Sequence, residues 1–156
     1  MRLVLQRVKE GSVTIEGKVN GAIEKGYVVL VGFGTDDDAS VLEPMIDKMI
    51  NLRVFEDENG KMNKSLLDVG GSILSISQFT LYANCRHGRR PGFTEALAPE
   101  KAIPLYDQFN KMIEDKGVHL EKGIFAADMK VSILNDGPIT IVLDSDKDIT
   151  KKNTKK

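Results

Sequence analysis

Cysteine is almost missing from this chain of 156 residues: Cys85 stands alone, and only two histidines accompany it. A single thiol cannot close an internal disulfide, and His119 has no partners at metal-ligand spacing, so neither a disulfide framework nor a metal centre is expected. An excess of one charge is missing too. Lys and Arg number 22 against 23 Asp and Glu, a net charge of −1, which removes any global attraction for nucleic acid and leaves only local patches to supply one. No apolar run approaches the ~18 residues of a membrane helix, and no charged-then-apolar leader opens the chain. These absences place the protein in the cytoplasm, with no membrane and no DNA partner expected.

What is present suits one domain with a sizeable core, 41% of residues being hydrophobic. The first third reads as strands: Leu3 and Leu5 alternate with polar neighbours, as do Val13 and Ile15, with Glu10-Gly11 and Glu16-Gly17-Lys18 read as turns. Tyr27 to Phe33 is apolar without alternation, which predicts a strand covered on both faces. Gly32-Phe33-Gly34-Thr35 lacks the further glycine and the Lys-Ser/Thr of a phosphate loop. Asp36 to Asp38 can open a helix whose buried stripe is Leu42, Met45, Ile46, Met49 and Ile50, with Pro44 bending it or marking its first turn. Arg53-Val54-Phe55 reads as a short strand. Glu56 to Gly60 then reads as an acidic turn without the length or spacing of a calcium loop. A second helix is predicted from Pro99 to about Lys116, with Gly117 as a left-handed cap. Met129, Val131 and Ile133 mark one later strand and Ile139, Ile141 and Leu143 the next; residues 146–156 read as a basic, unstructured tail.

Three stretches carry candidate chemistry. Ser77-Gln78-Phe79-Thr80-Leu81-Tyr82 follows the β-branched run Ile73 to Ile76, so it lies where a buried strand reaches the surface. It offers two side-chain hydroxyls besides that of Tyr82, a carboxamide, and amides that a bend would free for an anion or oxyanion. It contains no strong base; the plain alternative is a polar strand end. Arg86, His87, Arg89 and Arg90 form a basic loop ahead of Phe93, suited either to phosphate oxygens or to solvent. Asn135-Asp136-Gly137-Pro138-Ile139-Thr140 reads as a hairpin turn, or as a break in a ladder that leaves carbonyls free, with the Gly137-Pro138 bond cis or trans. Cys85 beside His87 raises a thiol nucleophile, although no third group to orient the imidazole is in view.

The first and third of these stretches, at this separation in a chain beginning Met1-Arg2-Leu3-Val4-Leu5-Gln6-Arg7-Val8, closely resemble the D-aminoacyl-tRNA deacylase family. Gly21, Gly26, Gly32, Asn51 to Phe55 and Lys61-Met62-Asn63 extend the resemblance over residues 1–145. It implies an α/β fold, a compact three-layer β/β/α domain with mixed, partly barrel-like sheets and two main helices on one side, working as a homodimer. It also implies a hydrolase without cofactor that cleaves the ester between a D-amino acid and the terminal adenosine at the acceptor end of tRNA, and that clears glycine mischarged onto alanine tRNA. In such a protein Gly137 and Pro138 form a cis pair reaching into the partner's site, where main-chain atoms exclude an L side chain. Ser77, Gln78 and the amides of Phe79 and Thr80 position substrate and oxyanion, and the ribose 2′-hydroxyl helps activate water. Arg7, Tyr82, Arg86, Arg89, Arg90, Phe93 and Asn135 are further candidates for substrate or tRNA contact. Two other readings stay open: a tRNA-binding module without catalysis, and a small-ester hydrolase with Thr80 or Cys85 as nucleophile.

Overall fold

Strand β1 organises the sheet. In the computed structural model, which describes residues 1–150, it runs unbroken from Arg2 to Ile15. Its first half pairs antiparallel with β3 (Gly26–Gly32) and its second half with β2 (Lys18–Ile23). Along its other edge lies β8 (Lys130–Asp144), antiparallel over nearly the whole length. The turn expected at Glu10-Gly11 is therefore absent: both residues stay in the ladder, opposite Leu134 and Ile133. The turn at Glu16-Gly17 is real, with both residues at positive φ (51° and 78°), as a two-residue hairpin of matching twist requires.

Beyond β3 the sheet continues in parallel through β6 (Ser72–Ser77) to β7 (Leu120–Lys122). The Asn20 side chain on β2 donates to the Lys122 carbonyl at 2.8 Å, bringing β7 back beside β2. The ring β1, β3, β6, β7, β2 is nearly closed, so one curled sheet takes the place of the two β layers expected. Closure separates two cores. Val8, Val13, Ile23, Val28, Leu74 and Ile76 fill the barrel. Leu3, Leu5, Tyr27, Val29, Val31 and Ile73 face outward against the helices, so β3 is covered on both faces.

The helices are α1 (Leu42–Asn51) and α2 (Pro99–Asp115). All five residues of the expected α1 stripe are buried, each contributing about 2 kcal/mol by removal from water. Pro44 lies in the first turn of α1, where its missing N–H leaves no helical bond unmade. A 3-10 turn, Ala39–Val41, precedes the helix, and Asp38 caps that turn by accepting from the Ser40 amide at 2.9 Å. In α2, Ala102, Tyr106, Phe109, Asn110 and Ile113 are buried, and Leu105 and Met112 partly so. Gly117 (φ 83°) supplies the left-handed cap.

Three expected strands change. The short strand placed at Arg53-Val54-Phe55 begins only at Phe55: β4 (Phe55–Glu56) pairs with β5 (Met62–Lys64), and the acidic turn lies between them. The two strands placed on either side of Gly137-Pro138 are one, β8. At the chain's end Ser145–Asp148 forms a helical turn, α3, where an unstructured tail was expected to begin at 146. The Asp144 side chain caps it by accepting from the Asp146 amide at 2.9 Å, and the Ser145 amide bonds the Met1 carbonyl. The Lys-rich part of that tail, residues 151–156, lies outside the described residues. Among the described residues no helix is long and apolar enough to cross a membrane.

Candidate active site

The chain leaves β6 at Ser77 and turns into a single 3-10 turn, Phe79–Tyr82. The Gln78 amide still reaches back to the Val31 carbonyl on β3 at 2.8 Å, which ties the start of the turn to the central strand. The amides of Phe79 and Thr80, being the first of their turn, have no intrahelical partner, and none occurs among the described residues. Ser77 and Gln78 are half-buried, while Phe79 and Thr80 are exposed. The Gln78 carboxamide donates to the Thr80 hydroxyl. A carboxamide cannot take a proton, so Thr80 has no base beside it and its hydroxyl is a weak nucleophile.

A cavity of about 620 Å³ opens beside this turn, lined by Ser77, Gln78 and Phe79, by Phe93 and by the wall Phe125 to Met129. Ile76, Met129 and Val131 line it as well, so it lies at the mouth of the barrel. Phe79 and Phe93 meet edge to face, their centroids 5.0 Å apart at 71°. Both residues are partly exposed, at 55% and 39%, so an apolar ring face is open for a base or aromatic side chain to stack on. The wall residues were not singled out by the sequence: Ile124-Phe125-Ala126-Ala127 has neither helical nor strand period. Ala126 adopts a left-handed conformation (φ 64°), which side-chain type does not announce.

The basic loop is the tip of a small hairpin. Asn84 and Gly92 exchange amide-to-carbonyl bonds at 2.7 and 2.8 Å, and Arg86, Arg89 and Arg90 between them are exposed. This hairpin leads directly into Phe93, which lines the cavity, while Arg89 and Arg90 with His87 border a separate open hollow at the hairpin tip. Cys85 is also exposed. Among the described residues no cluster of three or more His, Cys, Asp or Glu is arranged to hold a metal ion.

Three expected contact residues are occupied inside the protein. Tyr82 lies under the Arg2 guanidinium at 4.4 Å from its ring centroid, and Arg2 also bonds the Leu81 carbonyl at 2.8 Å and Asp144 at 3.1 Å. Burial, with Asp37 nearby, pushes the Tyr82 hydroxyl well above its usual range despite Arg2. Its place is a buttress behind the turn. Arg7 is only 5% exposed, too deep to meet a nucleic acid. It donates to the Val54 carbonyl at 2.8 Å and the Asp136 carbonyl at 3.0 Å. Asn135 accepts from the Ile139 amide and donates to the Thr140 hydroxyl, each at 3.0 Å.

The last two residues frame Gly137-Pro138. Gln6 pairs with Thr140 and Val8 with Asn135, so the four residues 136–139 bulge out opposite Arg7 alone. The expected hairpin turn is thus a wide bulge within one strand, and its peptide bond is cis. Gly137 sits at φ 127°, and a Cβ there would meet Ile139 at 3.0 Å and the Arg7 guanidinium at 3.2 Å, so only glycine fits without strain. Gly137 and Pro138 are themselves exposed. Within one chain the bulge and the Ser77 turn are apart. Ser77 is in register with Val31 and, through it, with Leu3, which is four residues from Arg7; its strand β6 is three strands from β8, so the two stretches are about 13 Å apart along the sheet and about 14 Å across it.

A curled sheet backed by two helices, with a strand end that offers hydroxyls, a carboxamide and free amides but no nucleophile-base pair, defines an α/β protein suited to orienting a reactive ligand. Comparison with known proteins makes the class specific. The family model of D-Tyr-tRNA(Tyr) deacylase matches residues 4–144. D-aminoacyl-tRNA deacylases of Thermus aquaticus and Fervidobacterium nodosum are 56% and 54% identical over 148 and 147 residues, spanning 93% and 94% of this chain and 95% and 99% of those proteins. A solved structure named c-Myc DNA Unwinding Element Binding Protein superposes with a TM-score of 0.87 at 41% identity, over 92% of this chain and 98% of that one. The chain belongs to the D-Tyr-tRNA(Tyr) deacylase family.

Proposed function

We propose that this protein hydrolyses the ester of D-aminoacyl-tRNA, releasing the D-amino acid and free tRNA. The observation that carries the reading is the pair of unpartnered amides, Phe79 and Thr80, at the edge of an apolar cavity, set in a chain 56% identical to a D-aminoacyl-tRNA deacylase. An aminoacyl ester is already activated, so orientation and oxyanion stabilisation suffice and no strong nucleophile is required. The terminal adenosine stacks against the Phe79 and Phe93 rings, Ser77 and Gln78 hold the aminoacyl group, and the ribose 2′-hydroxyl helps activate water. Arg86, Arg89 and Arg90 take backbone phosphates of the acceptor end. A duplex-DNA partner is not favoured, because a net charge of −1 gives no global attraction for a polyanion.

Handedness is judged by exclusion. The rigid bulge at Gly137-Pro138 lies too far from the site of its own chain, so the filter comes from a second copy in a homodimer, placed where an L side chain would project. A D residue and achiral glycine both present hydrogen there, and glycine mischarged onto alanine tRNA is accepted by the same rule. The reading is tested by incubating the protein with D-tyrosyl-tRNA and L-tyrosyl-tRNA in the presence of chelator. Release of D-tyrosine alone is expected. Binding of both without release would make the protein a tRNA-binding module, and release from small esters that is abolished by Cys85→Ser would make it a thiol hydrolase.

A further inference from the structure

One buried polar group is joined to three parts of the molecule, and the chemistry above makes no use of it. Ser75, fully buried, lies two residues before Ser77 on β6. Its carbonyl accepts two bonds: from the Gly123 amide at 3.1 Å and from the Tyr106 hydroxyl of α2 at 2.8 Å. The Tyr106 oxygen also lies 3.2 Å from the Ser75 hydroxyl. The position in the sheet matters. Pairing of β6 with β7 ends at Ser75 opposite Lys122, and from Gly123 onward the chain departs to form the cavity wall. Among the described residues the Ser75 carbonyl is therefore the last hydrogen-bonded link between the site strand and the segment that forms that wall, and Tyr106 is the only side chain bonded to it.

The same tyrosine touches the wall directly, its ring 6.1 Å from that of Phe125, which lines the cavity. One helical turn on, Asn110 is 1% exposed with both amide atoms unpartnered among the described residues.

We propose that Tyr106 is a positioning residue: its hydroxyl, through the Ser75 carbonyl, sets where β6 delivers Ser77 and Gln78 against the Phe125 to Met129 wall. The inference rests on the hydrolase reading only for its kinetic readout. Tyr106→Phe keeps the ring and its contact with Phe125 and removes the hydroxyl with both of its bonds to Ser75. At a temperature where circular dichroism shows both proteins folded, kcat on D-tyrosyl-tRNA falls about tenfold while KM stays within about twofold, since alignment is lost and ground-state contacts are not. In the absence of substrate, the backbone amide resonances of Ser77, Gln78 and Phe79 shift in the variant. An unchanged kcat beside an active wild type overturns the proposal, as do unmoved resonances or a loss matched by the loss of folded protein. A wild type without activity counts against the hydrolase reading instead, and the resonances then decide the role of Tyr106.

Discussion

The two irregular stretches of this sheet are built in opposite ways. The turn after β6 leaves polar groups free: the Phe79 and Thr80 amides have no partner, and the Phe79 ring is half out in solvent. The bulge in β8 is instead held from beneath and from its own flanks. Arg7 holds the Asp136 carbonyl from beneath, and Asn135 clamps the Ile139 amide and the Thr140 hydroxyl across the loop. A group that must bind keeps its hydrogen-bonding capacity open, whereas a group that must refuse needs a fixed shape and spends its neighbours on holding it. The contrast fits a division of labour between positioning and selection.

The largest effect expected is at the open stretch. Phe79→Pro places proline at a first helical position, which suits it, after a residue, Gln78, that lies outside the helical region (φ −150°, ψ 86°). It removes one free amide and one ring, and deacylation of D-tyrosyl-tRNA should fall by about 10²–10³, the effect of losing an oxyanion donor. Activity retained within tenfold would mean that the Phe79 amide does no such work. Gly137→Ala strikes the locked stretch: its Cβ would press on Ile139 and on Arg7. Here D-activity should drop by about tenfold or more while L-activity rises or stays at background, read by running both substrates against each other. D-activity unchanged beside L-activity still at background, with folding intact, would erase the distinction between binder and filter.

Smaller effects sharpen the picture. Thr80→Ala removes a hydroxyl whose partner is a carboxamide, so kcat should stay within about fivefold of wild type; a loss as large as that from 2′-deoxy-terminated tRNA would restore Thr80 as nucleophile. The smallest change concerns the buttress behind the turn. Burial pushes the Asp144 carboxyl upward, but the Asp146 amide and Arg2 outweigh it and hold it below its usual value. A lowered folded value means that the stabilisation is present above the unfolded value of about 3.9 and is lost as pH falls through the folded one. Asp144→Asn should therefore unfold at lower urea than wild type at neutral pH, and the two midpoints should converge at the acid end. A gap independent of pH would assign the effect to packing.

Much of this was legible in the residues. Period gave the α1 stripe, the absence of period gave the doubly covered β3, and Gly117 marked the end of α2. Strand ends and strand bends were less legible. Glu10-Gly11 looks like a turn but stays in β1, because partners on both edges hold it in the ladder. Gly137-Pro138 looks like a hairpin but stays in β8, because Arg7 from another strand fills the gap beneath it. Arg7, Tyr82 and Asn135 look like contacts for a ligand and are instead satisfied within the chain, a matter of long-range pairing that local composition does not encode. The Ser77 turn was found because a buried strand running into polar residues is a local pattern. The wall at Phe125 to Met129 was missed because its shape depends on a left-handed Ala126.

Mixing two defective proteins tests the division of labour most directly. Phe79→Pro spoils the turn but keeps the bulge, and Gly137→Ala does the reverse. If the bulge of one chain completes the turn of another, co-refolding equal amounts restores roughly a quarter of wild-type D-selective deacylation, since half of random pairs are mixed and each has one intact composite site. A mixture no more active than the sum of the two variants alone would contradict the account.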